Sequence, residues 1–334
     1  MALPFFMEPI HIVGSGSIGL FLATSIRSAF PSYPLAVLFR QHHKQRIGNE
    51  KEITVCLRQK QQRPRMARVP AQIIDDRRST SSIRNLVLST KAFQAVDAVE
   101  SIVPRLDPEN LRIMLLCNGA LDVREKLLEI LSLHEIKSPQ LVMCTTTHGV
   151  EQEPPDEDMF HLVQTGMGRT FMGANLENMD EIRRLSELWD RASLNAKAIE
   201  KSKMEAFLWQ KLAANCVCNP LTALYQCTNG ALAKHSDFVA TRDKVIQEIS
   251  DVGRELNPDM AEQLSPSALT AFVELVIQEN LQNTSSMFRD IEKKQETEID
   301  NLNGYVIRKG QHLGIDCPAN EELYHKIREM TAKF

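Results

Sequence analysis

The segment Pro9-Ile10-His11-Ile12-Val13-Gly14-Ser15-Gly16-Ser17-Ile18-Gly19 sets a short β-type run against a glycine-rich turn, and a helix-period stretch, residues 18–30, follows at once. In a turn of this kind Gly14 permits the tight reversal, Gly16 lets a pyrophosphate approach the backbone, and Gly19 lets the helix pack close to its strand. The first N–H groups of the helix and its positive dipole end would then bind the diphosphate. G-x-G-x-x-G alone is a weak signal; the strand before it and the helix after it give it weight. The segment predicts a dinucleotide-binding turn made by Gly14, Ser15, Gly16, Ser17, Ile18 and Gly19.

Outward from this turn, further β-type runs fall at residues 35–39, 86–89, 112–117 and 141–145, with helix-period stretches at 92–103 and 123–133. Strands alternating with helices predict an α/β domain with a Rossmann-type, doubly wound parallel sheet. Residues 50–85 interrupt the rhythm with two strands, 53–57 and 69–74, joined by QKQQRPRMAR. Runs at 161–165 and 169–173 flank a glycine-containing turn and predict an antiparallel edge. A polar helix over 180–193 and a last strand at 196–200 complete this part.

The residue that ends the strand 35–39 bears on cofactor choice. NAD sites usually place Asp or Glu there to accept from the ribose 2′-OH. Here Arg40 follows the strand, then His42, His43, Lys44 and Arg46, with no acid before Glu50. A fixed cation at that place favours the 2′-phosphate of NADP(H); the competing reading is a solvated basic loop.

After residue 201 strand signals vanish and helix signals dominate. This predicts a boundary there: an NADP-binding domain, 1–201, and an all-α domain, 202–334. Ser202-Lys203-Met204-Glu205 reads as a capping box opening a helix toward Asn219, before Pro220. A second long helix is expected over 287–313, stopped by Gly314. On the first helix Lys211, Asn215 and Asn219 recur every four residues and share a face. Their neighbours Phe207, Leu208, Leu212, Ala213, Ala214 and Val217 are apolar, so the ammonium is expected to be buried, which is costly without a partner or a task. On the second, Ile291, Glu298, Leu302 and Tyr305 form one stripe that aims a carboxylate toward the core. Spacing alone leaves open whether Lys211 and Glu298 simply form a buried pair.

Bulk properties bound the alternatives. The chain has 334 residues, enough for two domains, with 43% hydrophobic and 25% charged residues and a formal charge of −4. That charge directs it toward neither nucleic acid nor an anionic membrane. No run approaches the ~20 apolar residues of a membrane helix, and the opening residues lack the basic region of a signal peptide. Seven cysteines, most within apolar runs, suggest reduced thiols and a cytoplasmic location. Cys216-Val217-Cys218 lacks zinc-site spacing, so no metal is expected, and no G-x-S-x-G elbow points to a hydrolase. The basic run 58–68 has no aromatic interleaving for nucleic-acid binding.

The segment Trp209-Gln210-Lys211-Leu212-Ala213-Ala214-Asn215-Cys216-Val217-Cys218-Asn219-Pro220-Leu221-Thr222-Ala223-Leu224 resembles the signature of the ketopantoate reductase (2-dehydropantoate 2-reductase) family. Ser285-Ser286-Met287-Phe288-Arg289-Asp290, Thr297-Glu298-Ile299-Asp300 and Asn303-Gly304 resemble the second family signature. Ser89-Thr90-Lys91-Ala92-Phe93-Gln94, Cys117-Asn118-Gly119 and Thr145-Thr146-Thr147-His148-Gly149 match family blocks in order. The resemblance spans nearly the whole chain. It implies NADPH-dependent reduction of a small branched 2-oxo acid, ketopantoate to pantoate first of all. It implies Lys211 as general acid and Glu298 as its support and as ligand of the distal hydroxyl. Asn118, Asn215, Asn219 and Ser286 would hold substrate oxygens, with Arg40, Lys91, Gln94 and Asn118 on the nucleotide. The expected partners are the 2-oxo acid and, as one permitted assembly, a second copy of the chain. Two departures stand out: Ala120-Leu121-Asp122 follows where the family often has a second glycine, and the basic loop 58–68 is an elaboration. The rival readings are a reductase of another 2-oxo acid and a non-catalytic NADP-binding relative, against which the retained Lys211 speaks.

Overall fold

Strands β1 (Ile10–Val13) and β2 (Leu35–Phe39) are buried along their whole length, with no alternation of exposed side chains. This pattern belongs to a parallel sheet covered on both faces. The computed structural model describes residues 8–43, 47, 51–60, 62–74, 82–154, 156, 159–174 and 176–334. The chain divides into two units, Met1–Met204 and Glu205–Phe334.

In the first unit β1 continues through the glycine turn into helix α1 (Ser17–Ala29), which returns to β2. A hairpin follows, β3 (Glu52–Gln59) and β4 (Arg65–Ile73), paired antiparallel, with β4 lying parallel beside β2. The chain then crosses to the other side of β1, where β5 (Asn85–Leu88), β6 (Arg112–Leu115) and β7 (Gln140–Thr146) add parallel strands. Helices α2 (Ala95–Glu100) and α3 (Ala120–Leu133) lie between them in sequence. Reversal of strand order at β1 and β5 leaves a crevice at their carboxyl ends, where α/β sheets bind ligands. Strands β8 (Gly149–Gln152), β9 (Met159–Gly166), β10 (Thr170–Ala174) and β11 (Ala196–Glu200) complete one sheet among the described residues. Its order is β11-β10-β7-β6-β5-β1-β2-β4-β3-β9-β8.

Several expectations are corrected here. Residues 161–165 lie in β9 and residues 170–173 in β10, but these strands do not pair with each other. β9 runs parallel to β3 and antiparallel to β8, while β10 runs antiparallel to β7 and parallel to β11. The connection is a crossing, not a hairpin turn: a Cβ on Gly168 would lie 2.2 Å from the backbone nitrogen of His148. His148 holds this crossing. Its Nδ1 accepts from the Gly168 N–H at 3.0 Å, and its Nε2–H donates to the Leu194 carbonyl at 3.0 Å, which defines one neutral tautomer. Burial lowers its pKa, opposed by the bond to Leu194. Residues 92–103 are not one helix: a 3₁₀ turn at Ala92–Gln94 precedes α2, and a second spans Val103–Arg105 around Pro104. Helix α4 (Met179–Trp189) ends in a π turn, Asp190–Leu194, with Ser193 at φ 65°.

The second unit is helical. Helix α5 (Lys201–Tyr225), whose first turn belongs to the first unit, is followed by α6 (Phe238–Leu256), α7 (Pro266–Glu279), α8 (Ser286–Glu292), α9 (Asn303–Leu313) and α10 (Pro318–Thr331). The capping-box expectation fails because β11 passes directly into α5, which places Ser202 inside the helix. Nor does α5 stop at Asn219; Pro220 lies within it. The single helix expected over 287–313 is broken. Lys293-Lys294-Gln295-Glu296 are good helix formers, yet Lys294 adopts φ 51° and the Gln295 N–H bonds to the Asp290 carbonyl at 2.8 Å. Glu298 therefore precedes a 3₁₀ turn, Ile299–Asn301, and does not ride a helical stripe. Gly314 does cap α9, at φ 71°. No described helix is long and apolar enough to cross a membrane.

His11 on β1 is buried, and that burial, with the Arg105 guanidinium nearby, lowers its pKa to about 4. A depressed folded-state pKa means that the unfolded chain binds the extra proton first as pH falls. Stability present above pH ~6.5 is therefore expected to fall, by as much as about 3 kcal/mol, as pH drops toward 4. Urea midpoints across this window should have a shallower pH slope in His11→Leu than in the parent; equal slopes would refute the assignment.

Candidate functional site

The turn after β1 packs against the end of β5. Gly14 has φ 119°, and a Cβ there would lie 2.6 Å from the Ser89 carbonyl carbon. A Cβ on Gly19 would lie 1.9 Å from the Gly14 carbonyl oxygen and 2.5 Å from Ser89 Oγ. The Ser89 hydroxyl lies within hydrogen-bonding distance of the carbonyls of Val13 (3.2 Å) and Gly14 (3.3 Å). Gly14 and Gly19 are thus demanded by the protein's own packing. Gly16 is not: its backbone is extended, and a Cβ there would meet nothing within 4 Å. An exposed glycine that the protein does not need fits a site where a ligand must come close to backbone.

Other residues of the first unit gather along the same sheet edge. Arg40 directly follows β2 and is half-buried. Lys91 and Gln94 lie just past β5, at the 3₁₀ turn Ala92–Gln94, and Asn118 lies between β6 and α3, ahead of Gly119 at φ 60°. The strand order makes β2, β1, β5 and β6 consecutive neighbours, so all four positions flank the glycine turn. Lys44, Arg46 and Glu50 lie outside the described residues, as does the side chain of His42. In the basic hairpin Arg58 is paired with Glu153, and Arg68 with Glu52 at 3.2 Å.

In the second unit α5 carries Lys211, Asn215 and Asn219 at successive four-residue steps. Lys211 is not enclosed as its apolar neighbours led us to expect. Phe207, Lys211 and Asn215 form a half-open stripe on a helix whose other mid-length positions are mostly buried, and Asn219 continues it inward, buried. Ser286 is the exposed first residue of α8, and Glu298 is 3% exposed. A hydroxyl pair registers α8 against α5. Thr222 Oγ1 lies 2.7 Å from both the Cys218 carbonyl and Ser285 Oγ, and Ser285 Oγ lies 3.4 Å from the Asn219 carbonyl. Ser285 Oγ also accepts from the Phe288 N–H at 3.1 Å, capping α8. Ser285, the residue before Ser286, is thereby held beside Asn219. The Cys216 and Cys218 thiols are buried; burial raises Cys218 to about 12 and Cys216 well above its ordinary value, which makes both unreactive core groups.

Sequence reasoning did not assign roles to Ser89, His148, Thr222, Ser285 or Asn303, although all five lie in quoted motifs. Small hydroxyl residues at a strand end or beside a helix start are the available signal, but their partners are remote in sequence.

A glycine-rich turn on a doubly wound sheet, followed in the chain by a helical unit that bears Lys211, Asn215 and Glu298, defines a two-unit α/β-plus-helical architecture. The family model described as ketopantoate reductase PanE/ApbA matches residues 10–177, and its C-terminal counterpart matches residues 203–331. The 2-dehydropantoate 2-reductase of Vibrio cholerae is 31% identical over 247 residues, covering 73% of this chain and 77% of that protein. The Yersinia pestis protein of the same name is 29% identical over 249 residues, 75% of each. A PanE/ApbA family ketopantoate reductase from Ralstonia eutropha JMP134 has a similar fold, with TM-score 0.79 at 21% identity over 98% of this chain and 99% of that one. D-mandelate dehydrogenase, in a ternary structure with NADH and anilino(oxo)acetate, gives TM-score 0.78 at 18% identity, over 98% and 99%. The chain belongs to the ketopantoate reductase family.

Substitutions at Gly14 and Gly16 test packing and ligand binding separately. Gly14→Val is expected to destabilise the fold by about 3 kcal/mol or more through backbone strain and overlap with Ser89. Gly16→Val should leave the thermal midpoint near that of the parent while weakening dinucleotide binding at least ~10-fold. Calorimetry and nucleotide titration of both variants check this; a nucleotide affinity unmoved by Gly16→Val removes the turn from the site.

Proposed function

We propose that the protein is an NADP(H)-dependent reductase that converts a small branched 2-oxo acid to its 2-hydroxy acid, with ketopantoate to pantoate as the leading reaction. The observation that carries this reading is the polar stripe of α5: Lys211 and Asn215, four residues apart, are half-open on a helix whose other mid-length positions are mostly buried. The labour divides as residues 1–201 for nucleotide and 202–334 for substrate and proton.

The nucleotide, when bound, supplies the hydride. The glycine turn and the α1 N-terminus hold its diphosphate through backbone N–H groups. Arg40 at the end of β2, with Lys91 and Gln94 after β5, receives the adenosine end, and a guanidinium there pairs with a 2′-phosphate better than with a 2′-hydroxyl. This favours NADP(H), even though the similarly folded D-mandelate dehydrogenase was solved with NADH.

On the substrate, Asn118, Asn215, Asn219 and Ser286 orient the carboxylate and keto oxygens. The Lys211 ammonium donates a proton to the keto oxygen as C2 gains the hydride, so that C=O becomes CH–OH with charge balanced. Glu298 accepts from the distal hydroxyl and supports the lysine. Holding these groups in place removes much of the entropic barrier, and the positioned acid adds its own factor.

NADPH oxidation followed by absorbance across a panel of 2-oxo acids tests the proposal. Turnover of ketopantoate well above 2-oxoisovalerate is expected; equal turnover would deny Glu298 a role in hydroxyl recognition. NADPH binding with no turnover of any 2-oxo acid would point to the non-catalytic reading. Lys211→Ala should lower kcat by ~10²–10⁴, and an unchanged kcat would exclude it as the acid. Arg40→Ala should weaken NADPH by about 10- to 100-fold and NADH little; a uniform loss would show that it does not read the 2′-phosphate.

A further inference from the structure

Pro220 sits five residues before the end of α5. Lacking an N–H, it cannot donate to the carbonyl four residues back, and its ring crowds that same carbonyl. The carbonyl belongs to Cys216, whose side chain is completely buried. A buried carbonyl without a donor is costly. Here the donor comes from a residue 87 positions away: Asn303 Nδ2 donates to the Cys216 carbonyl at 3.1 Å. Asn303 begins α9 and is 0% exposed.

The direction of the Asn303 amide is set from behind. Its Nδ2 also donates to Asn320 Oδ1 at 3.0 Å. Asn320 must present that oxygen because its own Nδ2 donates to Glu248 Oε2 at 2.7 Å. The buried Glu248 carboxylate, on α6, also accepts the backbone N–H groups of Ala319 (2.7 Å) and Asn320 (2.9 Å) in the first turn of α10. Hydrogen-bond polarity therefore runs from the carboxylate on α6, through two asparagines, to one carbonyl of α5. Asn303 Oδ1, by contrast, is buried with no partner among the described residues. The side chain serves as a donor, at the cost of an unsatisfied acceptor.

Cys216 follows Asn215, and Pro220 follows Asn219, so each candidate substrate asparagine adjoins one end of the interrupted helical link. We propose that Asn303 is a positioning residue: by filling the gap left by Pro220 it sets the α5 backbone between Asn215 and Asn219, and so their spacing for the 2-oxo acid. The substrate part of this statement rests on the reductase reading above.

A double-substitution cycle tests it on the full chain, using Asn303→Ala, Pro220→Ala and the pair. Asn303→Ala should lower both the thermal midpoint and kcat/KM for the 2-oxo acid, the latter about 10- to 100-fold, with NADPH affinity unchanged. Pro220→Ala supplies an N–H to the Cys216 carbonyl from within the helix, so the pair should regain most of the midpoint. It should not regain kcat/KM, because a regular helix replaces the proline geometry. Simple additivity of the two midpoint losses would overturn the shared-carbonyl link. Recovery of kcat/KM together with the midpoint would reduce Asn303 to a fold-holding role and overturn the positioning claim, as would an unaffected kcat/KM in Asn303→Ala. Lack of parental turnover with any 2-oxo acid would overturn the reductase reading and the substrate part together, while the midpoint cycle would still decide the carbonyl link.

Discussion

The closeness of backbone to backbone at the end of β1 governs the first unit. Gly14 and Gly19 bring the turn against Ser89 so tightly that neither position has room for a methyl group. That contact fixes the start of α1 relative to β1 and β5, and with it the direction of the helix's free N–H groups. Gly16, at the outer side of the same turn, is left in open space. One short segment thus holds glycine in two different settings: at Gly14 and Gly19 internal contact demands it, and at Gly16 the protein's own packing does not.

The second unit is organised by buried polar groups. Hydrophobic packing of α5 against its neighbours is non-directional and would tolerate small rotations or slips of the helix. Directional bonds remove that freedom. The Thr222–Ser285 hydroxyl pair ties α5 to the start of α8, and the Glu248–Asn320–Asn303 chain ties it to α9 and α10. Such networks are costly when half-made and specific when complete. The interruption at Pro220 and the break at Lys294 are local departures from regular helix, each closed by a defined hydrogen bond, to the Cys216 carbonyl and to the Asp290 carbonyl.

Much of this was legible in the chain itself. The strands 35–39 and 196–200 coincide with β2 and β11, and the glycine turn, the basic residue after β2, the change to helix near residue 201 and the Gly314 cap are all local signals. Errors arose where a local preference met a distant partner. The helix formers 293–296 read as continuous helix, but Glu298 is buried beyond a turn. Residues 161–173 read as a hairpin, but Gly168 must pass against the backbone of residues 147 and 148. Pro220 read as a helix end, but a remote asparagine amide supplies the missing donor.

By itself the sequence determined the class of fold, the glycine-rich turn after β1 and the identities of the polar residues on α5, because periodicity, glycine placement and the spacing of side chains along one helix are properties of neighbouring residues. Only the tertiary structure decided the strand order beyond the parallel core, the place of Glu298 after a break and the partners of Cys216, Thr222 and His148. Those depend on which buried donors and acceptors find one another across tens of residues, and a hydrogen bond between remote groups leaves no period in the chain.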